Sequence, residues 1–278
     1  MILLADSGST KTDWLLYDYE TTQFQSAGFN PFYQSGEVIL EGLRREVVPN
    51  VHRPPHAIFF YGAGCADEVS SRPVKEALAT TFPLATVEVN SDLLAAARAL
   101  CQHEAGIACI LGTGSNNCLY DGQKIINNIG SLGFWLGDEG SGGHLGKQLV
   151  VRFLHRELPS DLHEDFAQTY PTVSRLTVLD RAYKQPFPNR YFAGFTPFLS
   201  RHLAHPFIQE HLAASFGTFL DTYVCKHPDA STFPVHFTGS IAYYFQSALQ
   251  DALNERGLRM GGIQRSPIEG LLRFHQTS

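Results

Sequence analysis

MILLADSGSTKTDWLLYD, residues Met1–Asp18, opens the chain. Two apolar stretches, Met1–Ala5 and Trp14–Tyr19, have the composition of β-strands, and the connection between them is short enough for antiparallel pairing. The connection begins with an acid, Asp6, and continues through the small and hydroxyl-bearing residues of Gly8–Thr12, which include one lysine. This pattern predicts the first two strands of a sheet, joined by a turn that carries polar groups.

Beyond this stretch, strand-like runs alternate with segments of helical periodicity. A third strand is predicted at Gln23–Ala27, and helix Gly36–Val48, strand His56–Gly62, helix Asp67–Phe82, strand Ala85–Val89 and helix Ser91–Gln102 follow it. Three strands and then alternating helices and strands predict a mixed sheet with helices on its faces, which is an α/β fold.

The same layout starts again near residue 106. Strand Gly106–Leu111 ends in a GTGS turn, and Asn116–Tyr120 and Lys124–Asn128 flank the hairpin signal Asp121–Gly122. The remaining predictions are helix Ser141–Leu158, a mostly helical region 159–231 with prolines as breaks, strand Pro234–Thr238, helix Ile241–Arg256, a short strand Leu258–Gly261 and a last helix from Pro267. We interpret the repeated order as a second domain built on the plan of the first.

Three turns place glycine next to serine or threonine at the end of a predicted strand. They are Asp6–Thr12, Gly112–Asn116 and Thr238–Ser240. Glycine lets backbone N–H groups approach a ligand closely, hydroxyl groups add donors, and successive N–H groups form concave anion sites. One such turn also fits a purely structural role, but three of them favour the binding of a phosphate chain.

Asp6 and Lys11 add charge to the first turn. A carboxylate beside phosphate-binding loops suits Mg²⁺, which takes one or two carboxylates together with phosphate oxygens. Lys11 can reach a phosphate as a point charge. The alternative for Asp6 is a turn carboxylate that accepts hydrogen bonds from nearby N–H groups.

The composition is that of a globular protein and argues against several classes. Of 278 residues, 44% are hydrophobic and 17% charged, and a net charge of −6 lacks the basic footprint of a nucleic-acid-binding protein. The first apolar run is too short for a signal peptide, and no stretch reaches the ~20 apolar residues of a membrane span. Five scattered cysteines fit reduced thiols. We expect a cytoplasmic protein without nucleic-acid or membrane partners.

Several motifs together resemble those of the sugar-kinase/Hsp70/actin superfamily. DSGSTKTDW, from Asp6, resembles its first phosphate motif, LGTGSNN, from Leu111, its second, and FTGSIAYYF, from Phe237, its adenosine motif. GSLGFWLGDEGSGG, from Gly130, is similar to the stretch that shapes the sugar site, and SPIEGLL, from Ser266, to the final helix. Within the superfamily the chain looks like the N-acetylglucosamine kinase family, grouped with the BadF-BadG-BcrA-BcrD-type ATPases.

This resemblance implies two ribonuclease-H-like (actin-like ATPase) domains around a nucleotide cleft. The first domain would comprise residues 1–104 with the final helix, 267–278, packed back on it. The second would comprise residues 105–266 and include a helical insertion. The resemblance also implies ATP and Mg²⁺ as cofactors and an amino sugar as the small-molecule substrate. A homodimer is the default expectation for such folds.

Site residues follow from the same resemblance, residue by residue. Asp92 stands where the family carries its catalytic aspartate, although a helix-capping role explains the same residue without it. The residues that would bind Mg²⁺ or phosphate are Asp6, Gly8, Ser9, Thr10, Lys11, Thr12, Gly112, Thr113, Gly114 and Ser115, with Gly239 and Ser240 against the nucleoside. Sugar-binding residues would be Asn30, Asn116, Gly133 and Asp138, and Leu132 departs from the aromatic residue that the family often has there.

The function implied is an ATP-dependent kinase that phosphorylates the 6-hydroxyl of N-acetylglucosamine or a related amino sugar. Three alternatives stay open from the sequence. The first is a kinase whose acceptor is glucosamine or N-acetylmuramic acid. A BadF-type ATPase activator would need thiolates such as Cys101 and Cys118 around an iron–sulfur cluster. The third alternative is a sugar or nucleotide sensor without turnover.

Overall fold

The computed structural model describes residues 1–8 and 10–277. Its strands are β1 Ile2–Ser7, β2 Lys11–Tyr17, β3 Thr21–Ala27, β4 Ala57–Gly62, β5 Thr86–Ser91, β6 Ala105–Leu111, β7 Ser115–Asp121, β8 Ile125–Asn127, β9 Pro234–Thr238 and β10 Arg259–Gln264. Its helices are α1 Gly36–Gly42, α2 Glu68–Thr81, α3 Asp92–Cys101, α4 Gly133–Leu136, α5 Gly142–Leu154, α6 Ser160–Thr169, α7 Arg175–Tyr183, α8 Pro188–Ala193, α9 Thr196–Arg201, α10 Pro206–Thr222, α11 Ser240–Tyr244, α12 Gln246–Asn254 and α13 Ile268–Gln276.

The chain divides into two compact units. The first comprises Met1–Glu104, Asp121–Ile125 and Ser266–Ser278, and the second comprises Ala105–Tyr120 and Ile126–Arg265. Each unit contains one five-stranded sheet with helices, so the α/β class predicted from the sequence is confirmed. None of the helices in the described part of the chain is long and apolar enough to cross a membrane.

The sheet of the first unit has the strand order β3-β2-β1-β4-β5. Strand β1 pairs antiparallel with β2 and parallel with β4, and β4 pairs parallel with β5. Leu3, Leu4 and Ala5 on β1 are all fully buried, as expected for a central strand covered on both faces. Because β1, β4 and β5 run in the same direction, their carboxyl ends lie along one edge of the sheet.

Alternate residues of β1 serve the two faces of this sheet. Leu3 and Ala5 pack in a core with residues of α1 and α2, such as Ile39 and Leu78. Leu4 faces the other side and joins a smaller cluster of Leu15, Tyr61, Ala95, Ala99, Ile268 and Leu271, which brings α3 and α13 onto that face. The period of two residues along a strand produces this division.

The sheet of the second unit has the strand order β10-β9-β6-β7-β8. Read from β8, this order is the same as that of the first sheet, so the repeated layout predicted from the sequence is confirmed at the level of strand order. Strands β6, β9 and β10 are parallel neighbours. Helices α6–α10 make up the predicted helical region, and Pro188, Pro197 and Pro206 lie in the first turns of their helices, where proline costs no hydrogen bond.

Three helices end or change where the sequence pattern gives no signal. Helix α5 ends at Leu154 because Arg156 adopts a left-handed conformation, with φ +61°. The N–H of Arg156 donates to Phe153 O, and the N–H of Glu157 donates to Arg152 O, the hydrogen bonds of a Schellman motif. The predicted helix Ile241–Arg256 is divided at Phe245, and α1 continues as a π-helical turn, Leu43–Val47.

Close packing of α13 on α3 generates a prediction for Gly270. A Cβ atom there would lie 2.5 Å from Ala99 O and 2.8 Å from Ala99 Cβ, so a side chain forces the two helices apart. We expect Gly270→Ala to lower the free energy of unfolding by about 1–3 kcal/mol, as overpacking does, measured by urea denaturation. Gly36→Ala is the control, because its Cβ meets ordinary contacts at 3.7 Å. Equal stability of the two variants would contradict the close approach.

Candidate active site

The candidate site in the first unit lies at the carboxyl edge of its parallel strands. Ser7, Gly62 and Ser91 are neighbours in register on β1, β4 and β5. Asp6 precedes the first of these residues and Asp92 follows the last. The sheet thereby places at one edge two acids that are 86 positions apart in the sequence.

The loop between β1 and β2 is shorter than the predicted turn. Strand β2 begins at Lys11, and the N–H of Gly8 donates to Lys11 O at 3.0 Å. Gly8 and Thr10 are exposed, as a ligand-binding loop requires. Ser9, a predicted phosphate ligand, lies outside the described residues.

Thr12, another predicted phosphate ligand, lies in the protein interior. Its side chain is fully buried, and its hydroxyl oxygen lies 2.7 Å from Ser7 Oγ and 3.1 Å from Ala27 O. Ser7 Oγ also accepts the N–H of Phe29 at 3.0 Å. This pair of hydroxyl groups ties β1 to the segment after β3, so the Thr12 side chain serves the fold, and its placement disfavours a direct contact with phosphate.

Lys11 is held by a carboxylate of its own strand. Its Nζ lies 2.9 Å from Asp13 Oδ1, and Gln25 Nε2 donates to the same oxygen at 2.6 Å. Half of the lysine side chain remains exposed. Lys11 therefore starts from a surface ion pair of little net stability, which it can exchange for a phosphate.

Asp6 has a strongly perturbed carboxyl group. Asp13 is its register partner on β2. Burial, followed by the negative charges of Asp92 and Asp13, raises the pKa of Asp6 to about 7, against a smaller opposing effect of Lys11. Part of the Asp6 surface is still exposed, so the carboxyl group is surrounded by protein and yet reachable. A cation beside it would relieve this repulsion.

This donor set fits Mg²⁺ held partly by a phosphate ligand. One or two carboxylates are the usual protein contribution to a magnesium site, with waters and phosphate oxygens as the other ligands. Within residues 1–8 and 10–277, no group of three or more His, Cys, Asp or Glu side chains could hold a metal ion alone. Asp6 is the residue that would contact the ion or one of its waters.

Asp92 is the first residue of α3. Ser91 caps the helix, because its Oγ accepts the N–H of Leu94 at 3.2 Å. Ser91 and not Asp92 is thus the N-cap of α3, so the Asp92 carboxyl group is not needed for capping. Burial raises the pKa of Asp92, although N–H groups of Leu93 and of Asp92 itself oppose the shift. A raised pKa suits a group that must accept a proton.

Asn30 is fixed next to the glycine turn that follows β4. Its Oδ1 accepts the N–H of Phe32 at 2.9 Å, and its own N–H donates to Gln34 Oε1 at 2.8 Å. Gly64 has φ +84°, and a Cβ there would lie 2.3 Å from Asn30 Oδ1. The turn 62–64 therefore must carry glycine at this position to let Asn30 keep its orientation.

In the second unit, the turn after β6 closes on itself. The N–H of Gly112 donates to Gly114 O at 3.0 Å. The first amides of α5 donate into the same turn, from Gly142 to Gly112 O at 2.8 Å and from Gly143 to Thr113 O at 3.0 Å. The turn is rigid, and the helix N-terminus is already occupied by carbonyl groups.

Ser115 and Gly239 border this turn. The Ser115 hydroxyl is buried and has no hydrogen-bond partner in the described residues. Since buried polar groups are normally hydrogen-bonded, this hydroxyl is available to a ligand or a water. Gly239 has φ +113°, and a Cβ there would lie 2.3 Å from Leu111 O. The two predicted nucleotide-binding turns of this unit are thus in contact, with Ser240 exposed at the start of α11.

Asp138 connects the phosphate turn to the predicted sugar stretch. It has a left-handed conformation, φ +57°, and its Oδ1 accepts the Ser131 hydroxyl at 2.7 Å and the N–H of Ser115 at 3.3 Å. Burial raises the pKa of its carboxyl group. Gly133 has φ +75° and open space around it.

Asn116 lies on β7 of the same unit. Its Oδ1 accepts the N–H of Asn117 at 2.9 Å and Asn128 Nδ2 at 3.2 Å. Of the four predicted sugar ligands, three therefore belong to this unit, and Asn30 belongs to the first.

A hydrogen-bonded network behind Asp92 was not visible in the sequence. Arg98 Nη1 on α3 donates to the Tyr61 hydroxyl at 2.8 Å and to Glu88 Oε1 at 3.1 Å, and the Tyr61 oxygen lies 2.8 Å from His275 Nε2 on α13. Asn90 Nδ2 donates to the same Glu88 oxygen at 2.6 Å. Because Arg98 can only donate, the Tyr61 hydroxyl hydrogen is available to His275.

Comparison with known proteins assigns the family. The "Putative N-acetylglucosamine Kinase" of Porphyromonas gingivalis is 41% identical, with a TM-score of 0.96 over 100% of this chain and 99% of that one. This chain belongs to the N-acetylglucosamine kinase family. The family lies within the sugar-kinase/actin-like superfamily, so the resemblance noted from the motifs is confirmed.

Two more distant structures show the fold alone. The "Putative N-acetylglucosamine Kinase" of Chromobacterium violaceum is 17% identical, with a TM-score of 0.73 over 98% of both chains. The "ROK Hexokinase" of Thermus thermophilus is 14% identical, with a TM-score of 0.51 over 100% of this chain and 99% of that one. The two-domain actin-like fold predicted for the chain is confirmed by these neighbours. No family model and no curated protein matches the chain.

The network behind Asp92 generates a prediction on pH. Burial and the charge of Arg98 lower the pKa of His275 to about 4, against about 6.5 for an unfolded chain. Between these values the unfolded state binds the proton first, so the free energy of unfolding falls as pH falls from about 6.5 to about 4. We expect His275→Gln to lose less stability than the wild type between pH 7 and pH 5, measured by urea denaturation.

Two features of the chain sharpen this test. His211 has a pKa lowered to about 4 by burial, so part of the slope remains in His275→Gln. His52→Gln, at an exposed imidazole, should keep the wild-type slope. A slope unchanged in His275→Gln would show that this imidazole is not buried in its neutral form.

Proposed function

We propose that this protein is an ATP-dependent kinase that phosphorylates the 6-hydroxyl of N-acetylglucosamine or a closely related amino sugar. Membership of the N-acetylglucosamine kinase family supports the proposal. The observation that carries it is the pair of acids, Asp6 and Asp92, whose charges interact at the carboxyl edge of the first sheet. A metal-binding acid next to a proton-accepting acid is the arrangement that phosphoryl transfer to an alcohol requires.

Asp92 acts as the general base in this proposal. Its carboxylate accepts the proton of the sugar hydroxyl while the oxygen attacks the γ-phosphorus, and the bond from phosphorus to the β–γ bridging oxygen breaks, which leaves ADP. Burial raises the pKa of this carboxyl group, which makes it a stronger proton acceptor.

Phosphate binding is shared by the predicted loops. In the first unit, Thr10 supplies its hydroxyl group and Lys11 its ammonium group, while Gly8, whose N–H already donates to Lys11 O, leaves room for the phosphate to approach closely. In the second unit, Thr113, Gly114 and Ser115 supply donors. Gly239 and Ser240 lie against the nucleoside. Mg²⁺, when bound near Asp6, would neutralise phosphate charge in the transition state.

The acceptor sugar is bound by Asn30, Asn116 and Asp138, with Gly133 allowing its close approach. Asp138 is held by Ser131 with one oxygen, and its other oxygen can accept a sugar hydroxyl. Amide side chains at Asn30 and Asn116 provide donors and acceptors for hydroxyl and acetamido groups.

The thiols favour a kinase over the iron–sulfur ATPase activator. Cys101 is buried, away from the surface at which two copies would share a cluster. Cys118 is buried as well.

Asp92→Asn tests the assignment of the base. We expect a fall in kcat of about 10²–10⁴-fold, the usual contribution of a general base, with ATP binding retained in isothermal titration calorimetry. The wild type is assayed with ATP, Mg²⁺ and a panel of N-acetylglucosamine, glucosamine, N-acetylmuramic acid and glucose. Asp67→Asn is the control, since asparagine caps a helix as well as aspartate does. If the wild type phosphorylates none of these sugars, the proposal is wrong. If Asp92→Asn turns over as fast as the wild type, Asp92 is not the general base.

Asp6→Asn tests the metal site. Loss of the carboxylate should raise the Mg²⁺ concentration for half-maximal activity about tenfold or more, as losses at metal sites do. Asp18→Asn, in the turn after β2, is the control and should leave the Mg²⁺ dependence unchanged. An unaltered Mg²⁺ dependence in Asp6→Asn would remove Asp6 from the metal site.

A further inference from the structure

The first unit contains a cavity of about 500 Å³ that none of the predicted site residues lines. Its walls come from the start of α2, the end of β5, one side of α3 and the loop between β7 and β8. Sites for small molecules have volumes of about 300–1,000 Å³, so the cavity is large enough for a ligand of the size of a monosaccharide derivative.

Three cationic side chains from three different elements line this cavity. They are Lys75 of α2, Arg98 of α3 and Lys124 of the loop between β7 and β8. Neither lysine forms an ion pair with a carboxylate of the described residues. In a chain with a net charge of −6, this grouping needs an explanation.

The hydrogen bonds of Arg98 also favour an anionic ligand in this cavity. Both of its hydrogen bonds to described residues leave from Nη1, and its Nε is buried without a partner. Only 18% of the side chain is exposed. The Tyr61 and Glu88 bonds hold the guanidinium group in place, and a fixed arginine at a cavity wall is suited to a charge-assisted hydrogen bond with an anion.

The carboxylates near the cavity are mostly engaged elsewhere. Asp67 accepts the N–H and the hydroxyl of Ser70 at 2.8 and 2.9 Å as the cap of α2. Glu88 accepts from Arg98 and Asn90. Glu68 lines the cavity too but is exposed. The excess of unspent donors over free carboxylates favours an anionic ligand.

We propose that this cavity binds a small phosphate-bearing molecule at a second site, separate from the proposed catalytic one. A phosphate group carries up to two charges and three terminal oxygens, enough to engage Arg98, Lys75 and Lys124 together. Asn90 and Ser71 also line the cavity and offer polar contacts to hydroxyl groups of an ester. Val89 and Leu94 offer an apolar wall.

The site adjoins the helix that carries the proposed base. Ser91, which lines the cavity, caps α3, and Asp92 is the next residue. A ligand in the cavity would contact this cap and Arg98, which lies about two helical turns further on. Its binding should therefore slow hydrogen exchange of the amides in the first turn of α3.

Calorimetric titration of the full chain with glucose 6-phosphate, inorganic phosphate and glucose tests the proposal. We expect glucose 6-phosphate to bind and glucose alone not to compete with it. The double variant Lys75→Met with Lys124→Met should weaken this binding about tenfold or more, as loss of two charge-assisted contacts does. Lys226→Met, at an exposed lysine of the second unit, is the matched control and should bind as the wild type does.

The outcomes separate the sources of the phosphate. Equal affinity for inorganic phosphate and for the ester would assign the site to the free anion, and preference for the ester would assign it to a phosphorylated small molecule. Unchanged binding in the double variant, or no protection of the first turn of α3 in hydrogen exchange, would overturn the proposal. Neither lysine belongs to the proposed catalytic site, so failure of the kinase assay and failure of this binding test are independent.

Discussion

The first unit holds two acids, Asp6 and Asp92, close together at one edge of its sheet, and the packing of the unit must offset their repulsion. Burial opposes the ionisation of both Asp6 and Asp92, and the negative charge of Asp92 also opposes that of Asp6. Such an arrangement costs stability unless it is offset by packing elsewhere. The buried centre of strand β1, Leu3–Ala5, provides that packing, because its apolar residues contact helices on both faces of the sheet. The two acids are tolerated because strand β1, which carries Asp6, and helix α3, which carries Asp92, pack in the same apolar cluster.

The helix of Asp92 is secured at both ends by different means. Ser91 caps its first turn, and at its far end Gln102 Nε2 donates to Gly270 O of α13 at 3.1 Å. Between them, Arg98 ties the helix to Tyr61 of the central sheet and, through Tyr61, to His275. The last segment of the sequence thus holds in place a residue that is far away along the chain. The position of Asp92 therefore depends on contacts from the whole first unit and not only on its neighbours in the sequence.

Sequence patterns predicted the strands and the glycine turns because both are local. Apolar runs mark β1, β4 and β6, and Gly239 of the third predicted turn stands where a positive φ value is required. The end of α5 was missed because Arg156, and not glycine, adopts the left-handed conformation that stops it. The Thr12 hydroxyl was expected at a ligand, but register places it against Ser7 in the interior. The Tyr61–Arg98–His275 network joins residues far apart in sequence, which no local pattern encodes.

Several hydrogen-bond donors near the turn after β6 in the second unit are already used within the protein, which limits the groups that could bind a phosphate. Helix N-termini commonly bind anions, but the first amides of α5 already donate to Gly112 O and Thr113 O. These bonds fix the turn and remove that helix dipole as a direct donor. The buried Ser115 hydroxyl has no partner in the described residues, while the Ser115 N–H is spent on Asp138. A phosphate at this turn would therefore contact the hydroxyl groups of Thr113 and Ser115 and the N–H of Gly114. Since Asp138 also belongs to the proposed sugar site, one carboxylate holds the phosphate turn and the acceptor stretch in a fixed relation.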